Sequence, residues 1–300
     1  MSPRTTVTTS VGGRELVLSN LDKVLYPESG FTKGQVIDYY ARIAPVMVPH
    51  LYDRPLTMKR WPDGVEGQSF FEKHAPRHAP DWIRTVKVAS SGDGDPVTFS
   101  VICDLPALVW AANLASIEFH VPLWHVGRRR KLPAPPDYMV FDLDPGEGTT
   151  IVECCRVASL IMEQVAPRFE KVYAKTSGSK GLQLYAPLTS QLTWERLRED
   201  ARRIATEVES VAPDLVVSNM RKSLRAGKVL IDWSQNSPSK TTVAVYSLRG
   251  RALPRASTPV TWAEVADCAD GGDSERLSFS PDETLARVEA KGDLFVPPPT

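Results

Sequence analysis

Apolar residues recur along this chain in two rhythms, one helical and one alternating, and together they predict its elements. In the first half, Thr32 and Gln35 form a capping box, and Val36, Tyr39, Tyr40, Ile43 and Met47 follow at helical spacing. Residues 56–61 and 97–103 read as strands. Asp104 with Pro106 then opens a helix carrying Leu108, Val109 and Ala112, and a short strand follows at 117–121. The second half is more regular. Strands at 138–143, 172–176, 182–186, 215–218, 229–233 and 242–248 alternate with two helices, one starting at a Thr150/Glu153 capping box and one after Thr193. The latter sets Leu197, Ala201, Ile204, Ala205, Val208 and Val211 on one stripe. Several strands are separated by hairpin-length gaps. The expected fold is therefore mixed α/β of the α+β kind: a largely antiparallel central sheet flanked by helices on one face, with no doubly wound parallel core.

Composition narrows the class. A chain of 300 residues, 42% hydrophobic and 24% charged, fits one large globular domain or two small ones. It has no internal repeat, and the Pro-rich stretch 132–136 is the nearest thing to a linker between two modules. No run approaches the roughly 18 apolar residues of a membrane span, and the Thr-rich start has no signal-like apolar region. Cys103, Cys154, Cys155 and Cys268 show no C-x-x-C spacing, which fits a reducing cytosol. The net charge is zero, but its distribution is uneven: nine acids and three bases fall between Glu264 and Asp293, leaving 33 bases against 27 acids before them. The positive charge clusters at Lys59 and Arg60, at 128–131, at 221–228, and at Arg249, Arg251 and Arg255. Such clusters are solvated faces or, interleaved with apolar strands, the walls of a phosphate-lined groove.

The sharpest local signal is Phe141-Asp142-Leu143-Asp144-Pro145-Gly146. Strand alternation sends Asp142 and Asp144 to one face, with Cα atoms about 6.6 Å apart, close enough to converge on a pair of metal ions. Oxygen-only ligands suit Mg²⁺ or Mn²⁺. The plainer reading has one Asp capping the Pro-Gly turn and the other solvated. Asp232 sits in the apolar strand Val229-Leu230-Ile231-Asp232-Trp233, where a lone charge is costly and wants a cation, either a metal or Lys228 or an arginine in a structural ion pair. Thr176-Ser177-Gly178-Ser179-Lys180-Gly181 lies between two strands. It reads as an anion cradle of inward backbone N–H groups, hydroxyls and an ammonium, or as a simple Gly/Ser hairpin turn. It lacks the spacing of a Walker loop. His120 in an apolar strand is a core histidine or a site residue, and Arg249 and Arg251 end a strand with cationic forks suited to phosphate. Phe70 and Phe71, beside Lys59, Arg60 and Lys73, either split between core and surface or stack on bases. Serine-hydrolase and zinc patterns are absent.

Taken in order, D-x-D, S-G-S-K-G and an apolar strand ending in Asp resemble the three motifs of archaeo-eukaryotic primase-polymerases. More closely, residues 141–148, 176–181, 222–228 and 231–236 resemble the polymerase domain of bacterial ligase D and the primase-polymerases that work with ligase C. The resemblance implies a primase-polymerase catalytic core of two interlocked modules. These are an N-terminal module of about 16–131, a catalytic module of about 137–260 and an acidic segment 264–295, preceded by an extension at 1–15. It implies two divalent ions, Mn²⁺ or Mg²⁺, on Asp142, Asp144 and Asp232, and Ser177, Ser179 and Lys180 on the triphosphate. Lys59, His120 and Arg249 become further nucleotide contacts, Lys23 and Lys33 a grip on the 5′-phosphate of a gap, and Phe70, Phe71 and Arg225 template and loop contacts. Where such proteins usually carry His, this chain has Gln183, which can donate a hydrogen bond but cannot take a positive charge. The activity implied is template-directed nucleotidyl transfer, favouring ribonucleotides, that fills short gaps and ends in DNA break or excision repair. Its implied setting is a cytoplasmic, nucleoid-associated one, with DNA, nucleoside triphosphates, a DNA ligase and end-binding repair proteins as partners and no membrane. A two-metal nuclease and a non-catalytic module binding DNA ends are the alternatives.

Overall fold

The structure, a computed structural model, describes residues 5–89, 95–127 and 133–296; the basic run at 128–131, Leu132 and residues 297–300 lie outside the described residues. The first half runs β1 (Thr6–Val11), β2 (Arg14–Ser19), β3 (Val24–Tyr26), β4 (Phe31–Thr32), α1 (Lys33–Leu51), β5 (Pro55–Arg60), β6 (Phe70–Glu72), β7 (Thr85–Val88), β8 (Val97–Val101), α2 (Leu105–Asn113) and β9 (Ser116–Val121). The second half runs β10 (Tyr138–Pro145), α3 (Ile151–Val165), β11 (Tyr173–Thr176), β12 (Leu182–Pro187), α4 (Trp194–Val211), β13 (Val216–Val217), β14 (Val229–Asp232), β15 (Thr242–Val243), β16 (Leu248–Arg249), β17 (Arg255–Ala256), β18 (Pro259–Val260), α5 (Trp262–Gly271) and α6 (Pro281–Lys291). Thr32, Asp104, Thr150 and Thr193 cap their helices as read from the sequence.

Two six-stranded sheets organise these elements. One has the order β15-β9-β5-β8-β7 with β6 on the far part of β5, and the other the order β13-β14-β10-β12-β11-β18. In the second sheet every pairing but β13 with β14 is antiparallel. Alternation along β10 decides where the chemistry goes. Met139, Phe141 and Leu143 pack with Val157 and Ile161 of α3 and Ile204 and Val208 of α4. Tyr138 and Val140 join the other core, with Ile43 and Met47 of α1. The second sheet therefore keeps its helices on one face and turns the other toward the first sheet. The period of two delivers Asp142 and Asp144 to that inner face.

Four features differ from the sequence reading. The strand expected at 242–248 is broken at Tyr246, whose φ is +67°, because its N–H turns to the Ser257 carbonyl. Thr242 and Val243 instead pair with β9, which carries the catalytic half of the chain back into the first sheet. Within the expected extension, residues 6–11 form β1, which pairs along its whole length with β2. The acidic segment is no tail either. Capping boxes at Thr261/Glu264 and Ser280/Glu283 start α5 and α6; Asp293 bridges His50 and the Tyr246 hydroxyl; and Phe295 is buried against Tyr173 at 4.7 Å. Burying that ring stabilises the fold by about 2 to 3 kcal/mol. Within the expected linker, Ala134 is buried and its carbonyl accepts from the Trp194 indole, so this part of the connection is packed. Among the described residues, no helix is long and apolar enough to cross a membrane.

Candidate active site

Cross-strand register assembles one row on the inner face. Asp142 lies opposite Asp232 on one side and Gln183 on the other, and Gln183 lies opposite Lys175. Residues paired this way point to the same side of a sheet. Asp144 is two positions along β10, on the same face. No salt bridge engages Asp142, Asp144 or Asp232 among the described residues. The ion pair with Lys228 or an arginine that would have made Asp232 structural does not form. Instead both Asp232 oxygens turn to the turn that follows, accepting from the Ser234 N–H (2.9 Å), the Ser234 hydroxyl (2.6 Å) and the Gln235 amide (2.9 Å). In that posture no three carboxylate, His or Cys groups close into a cage among the described residues. Oδ1 of Asp232 takes two of these bonds and Oδ2 one, so Oδ2 keeps a spare lone pair.

The electrostatics show what is missing. Burial first, then the Asp144 charge with Asp232 behind it, pushes Asp142 up to about 7 against the opposing Gln183 and Lys175. Burial and Asp232 raise Asp144 as well, while Arg225 and Arg249 pull it down. Hard oxygen donors that repel one another this strongly, with no arginine or lysine bonded to them, fit a divalent cation. A pH dependence follows. Between about pH 4 and 7 the folded chain holds a proton on Asp142 that the unfolded chain has lost, so this group makes metal-free stability fall as pH rises through that window. Melting curves from pH 4.5 to 8 should show the decline, and added Mn²⁺ should reverse it; a decline unchanged by Mn²⁺ contradicts the assignment.

A cleft of about 250 Å³ beside the row is lined by His120, Asp142, Asp144, Ser177, Ser179, Lys180, Gln183, Arg249 and Arg251, among others. The loop at 177–181 differs from a cradle of free amides. The Ser179 and Gly181 N–H groups donate to Ser177 Oγ at 3.3 and 3.1 Å, and the Ser177 N–H donates to the Gly181 carbonyl. What the loop offers an anion is therefore its hydroxyls and the exposed Lys180 ammonium. Gly178 is required twice over, by its φ of +66° and because a Cβ would sit 2.8 Å from Arg249 Cγ and the Ala256 backbone.

Opposite the loop, Glu118 holds the wall together. It is 2% exposed and meets His120 Nε2 at 2.8 Å, the Gly250 N–H at 3.0 Å and Arg249 Nε at 3.3 Å. Burial alone would raise its pKa, but His120, Arg249 and Gly250 hold it at about 2. An ionised Glu118 can only accept, so His120 carries its proton on Nε2; burial keeps the ring neutral at pH 7 by lowering its pKa, with Arg249 and Lys59 acting the same way. His120 thus lines the cleft, 5.6 Å from the Phe71 ring. Lys59 sits over Trp61 and Phe71 at 4.7 and 5.2 Å. Phe70 and Phe71 are 43% and 56% exposed, so both are available for stacking.

The remaining candidates sit elsewhere. Lys23 pairs with Asp63 at 2.8 Å, and Lys33 is buried, donating to the Ser19 carbonyl, Ser19 Oγ and Asn113 Oδ1 at 2.6, 3.1 and 2.9 Å. Neither lines the cleft. Arg225 donates to the Met220 carbonyl near the Pro-Gly turn, where Gly146 packs on its backbone. Sequence reading missed Glu118 and Lys175. Glu118 carried a usable signal, since it and His120 are two apart in a strand, as are Asp142 and Asp144.

Comparison with known proteins agrees with this geometry. Residues 32–295 match the family described as LigD, primase-polymerase domain. The chain is 45% identical over 280 residues to the multifunctional non-homologous end joining protein LigD of Mycolicibacterium smegmatis, covering 93% of the chain and 35% of that protein. It is 30% identical over 283 residues to the bifunctional LigD of Bacillus subtilis, covering 94% of the chain and 44% of that protein. The chain thus spans less than half the length of these curated relatives. Among solved structures, the polymerase domain from Mycobacterium tuberculosis ligase D in complex with DNA superposes with a TM-score of 0.86 at 44% identity, covering 93% of this chain and 96% of that one.

Proposed function

The chain belongs to the LigD primase-polymerase family, and on that footing we propose that it is a template-directed nucleotidyltransferase filling short gaps and ends during DNA end joining. The observation that carries this reading is the unpaired carboxylate row, Asp142, Asp144 and Asp232, facing a cleft whose other wall holds Lys180, His120 and Arg249. A primer 3′-hydroxyl attacks the α-phosphate of a nucleoside triphosphate, a new P–O bond forms, and pyrophosphate leaves. Asp142, Asp144 and Asp232 would hold divalent ions, Mn²⁺ or Mg²⁺, which supply charge neutralisation and a more acidic primer hydroxyl when bound. For Asp232 this means sharing its oxygens with Ser234 and Gln235.

The chain's own groups do the rest. Lys180, Ser179 and the Ser177 hydroxyl bind the triphosphate, and Arg249, fixed by Glu118 and the Ser177 carbonyl at 2.5 Å, adds a cationic fork. Neutral His120 and Lys59 orient the nucleotide, with ribonucleotides favoured. Phe70, Phe71 and Arg225 hold the template. Lys23 would grip a downstream 5′-phosphate once its solvent-exposed pair with Asp63 opens, with Lys33 behind it. Base choice comes from pairing, so affinity for DNA should be salt-dependent and nearly indifferent to sequence. A DNA ligase and end-binding proteins complete the repair at the nucleoid.

The test is a labelled primer on a short gap with a 5′-phosphate, incubated with Mn²⁺, with and without ribo- or deoxynucleotides. Lengthening by the gap size, faster with ribonucleotides, is expected. Shortening without nucleotides would instead reveal a nuclease, and no reaction together with no nucleotide-dependent heat would leave a binding module.

A further inference from the structure

Lys175 is fully buried, and among the described residues it forms no salt bridge. Burial pushes its pKa well below the usual lysine range, with the Asp142 charge working against this. A lysine kept in such a place needs a reason beyond packing. Its hydrogens go to Gln183 Oε1 at 2.5 Å and Ser257 Oγ at 2.6 Å, and it lies 5.5 Å from the centre of the Tyr185 ring. Nζ donates to both, so the Gln183 carbonyl oxygen faces it. The Gln183 amide hydrogens are thereby turned the other way, toward Asp142, its cross-strand partner. Ser257 in turn donates a hydrogen bond to the Thr176 carbonyl at 2.7 Å, just before the loop at 177–181.

We infer that Lys175 and Gln183 form a positioning pair for the cation site: Lys175 fixes the orientation of the Gln183 amide, and Gln183 holds one Asp142 oxygen so that the carboxylate stays aimed into the cleft. The inference rests on the proposed role of Asp142 as a cation ligand. The pair also gives the carboxylate row and the triphosphate loop a common anchor, through Ser257 and Thr176.

The test measures Mn²⁺ binding to the whole chain by titration calorimetry without nucleotide, alongside melting and gap extension. Lys175→Met and Gln183→Met should each weaken Mn²⁺ binding about 10- to 100-fold, as loss of a group that orients a ligand does, and lower kcat with little change in KM for nucleotide. The double variant should be no worse than the weaker single one, because one relay is broken twice. Gln183→His, whose ring can accept at one nitrogen and donate at the other, should recover most of the affinity. Additive losses of melting temperature with unchanged Mn²⁺ affinity would overturn the pair. If Lys175→Met does not fold, Gln183→Met and Gln183→His carry the comparison, and equal Mn²⁺ affinities refute it. A wild-type chain that binds Mn²⁺ but extends no primer defeats the functional reading, while the difference between variants still stands or falls by itself.

Discussion

Asp142→Asn and Asp232→Ala should each reduce gap extension by about 10³-fold or more, the scale at which preorganised charge stabilises a transition state, while leaving gapped-DNA binding intact. The two substitutions should part company in stability. At neutral pH, Asp142 is an acid raised to about 7 by desolvation and by Asp144 and Asp232, so a neutral amide of the same shape removes a repulsion. The melting temperature of the metal-free chain should hold or rise. Asp232 instead caps the turn after β14 through Ser234 and Gln235, and losing a cap costs about 1 kcal/mol. Primer extension, DNA binding by anisotropy and melting curves together separate lost chemistry from lost structure. Unimpaired extension by either variant would remove that carboxylate from the site.

The parts of this site that could be read from sequence are those written in one stretch of chain. D-x-D, the Ser-Gly loop and the apolar strand ending in Asp232 each carry their geometry locally, because alternation in a strand fixes which side chains share a face. Capping boxes worked for the same reason, and the ones at Thr261 and Ser280 that start α5 and α6 were equally legible beneath the acidic composition that drew attention away from them. What was hidden is register between distant strands. Nothing local says that Lys175 lies opposite Gln183 and Gln183 opposite Asp142, or that Glu118 reaches Arg249 across 131 positions of sequence. Gln183 was read from the sequence by itself, whereas the register sets Lys175 against it one strand further on. The cradle of free amides failed for a related reason: the sequence cannot show that Ser177 Oγ takes up two of those N–H groups itself.

Gly181→Ala tests how closely the two halves of the site depend on each other. A Cβ at this position would lie 2.1 Å from the Leu143 carbonyl oxygen and 3.3 Å from Pro145 Cδ. The obstruction is backbone, so no rotamer change relieves it, and β10 must move away from β12 where Leu143 and Leu182 are paired. Leu143 is flanked by Asp142 and Asp144, so the displacement carries both carboxylates with it. On the other side, Gly181 donates to Ser177 Oγ and accepts from the Ser177 N–H, so the triphosphate loop shifts as well. Overpacking a tight contact costs typically 1 to 3 kcal/mol and more when the backbone must give; about 3 kcal/mol is expected here, a fall in melting temperature of roughly 6 to 10 °C. Activity should fall further than stability explains. At a temperature where the variant is fully folded, KM for nucleotide should rise and kcat should drop together, because one methyl group disturbs the grip on the triphosphate and the placement of the acids at once. A variant with wild-type kinetics and a lowered melting temperature would show instead that the strand and the loop can part without consequence for the chemistry.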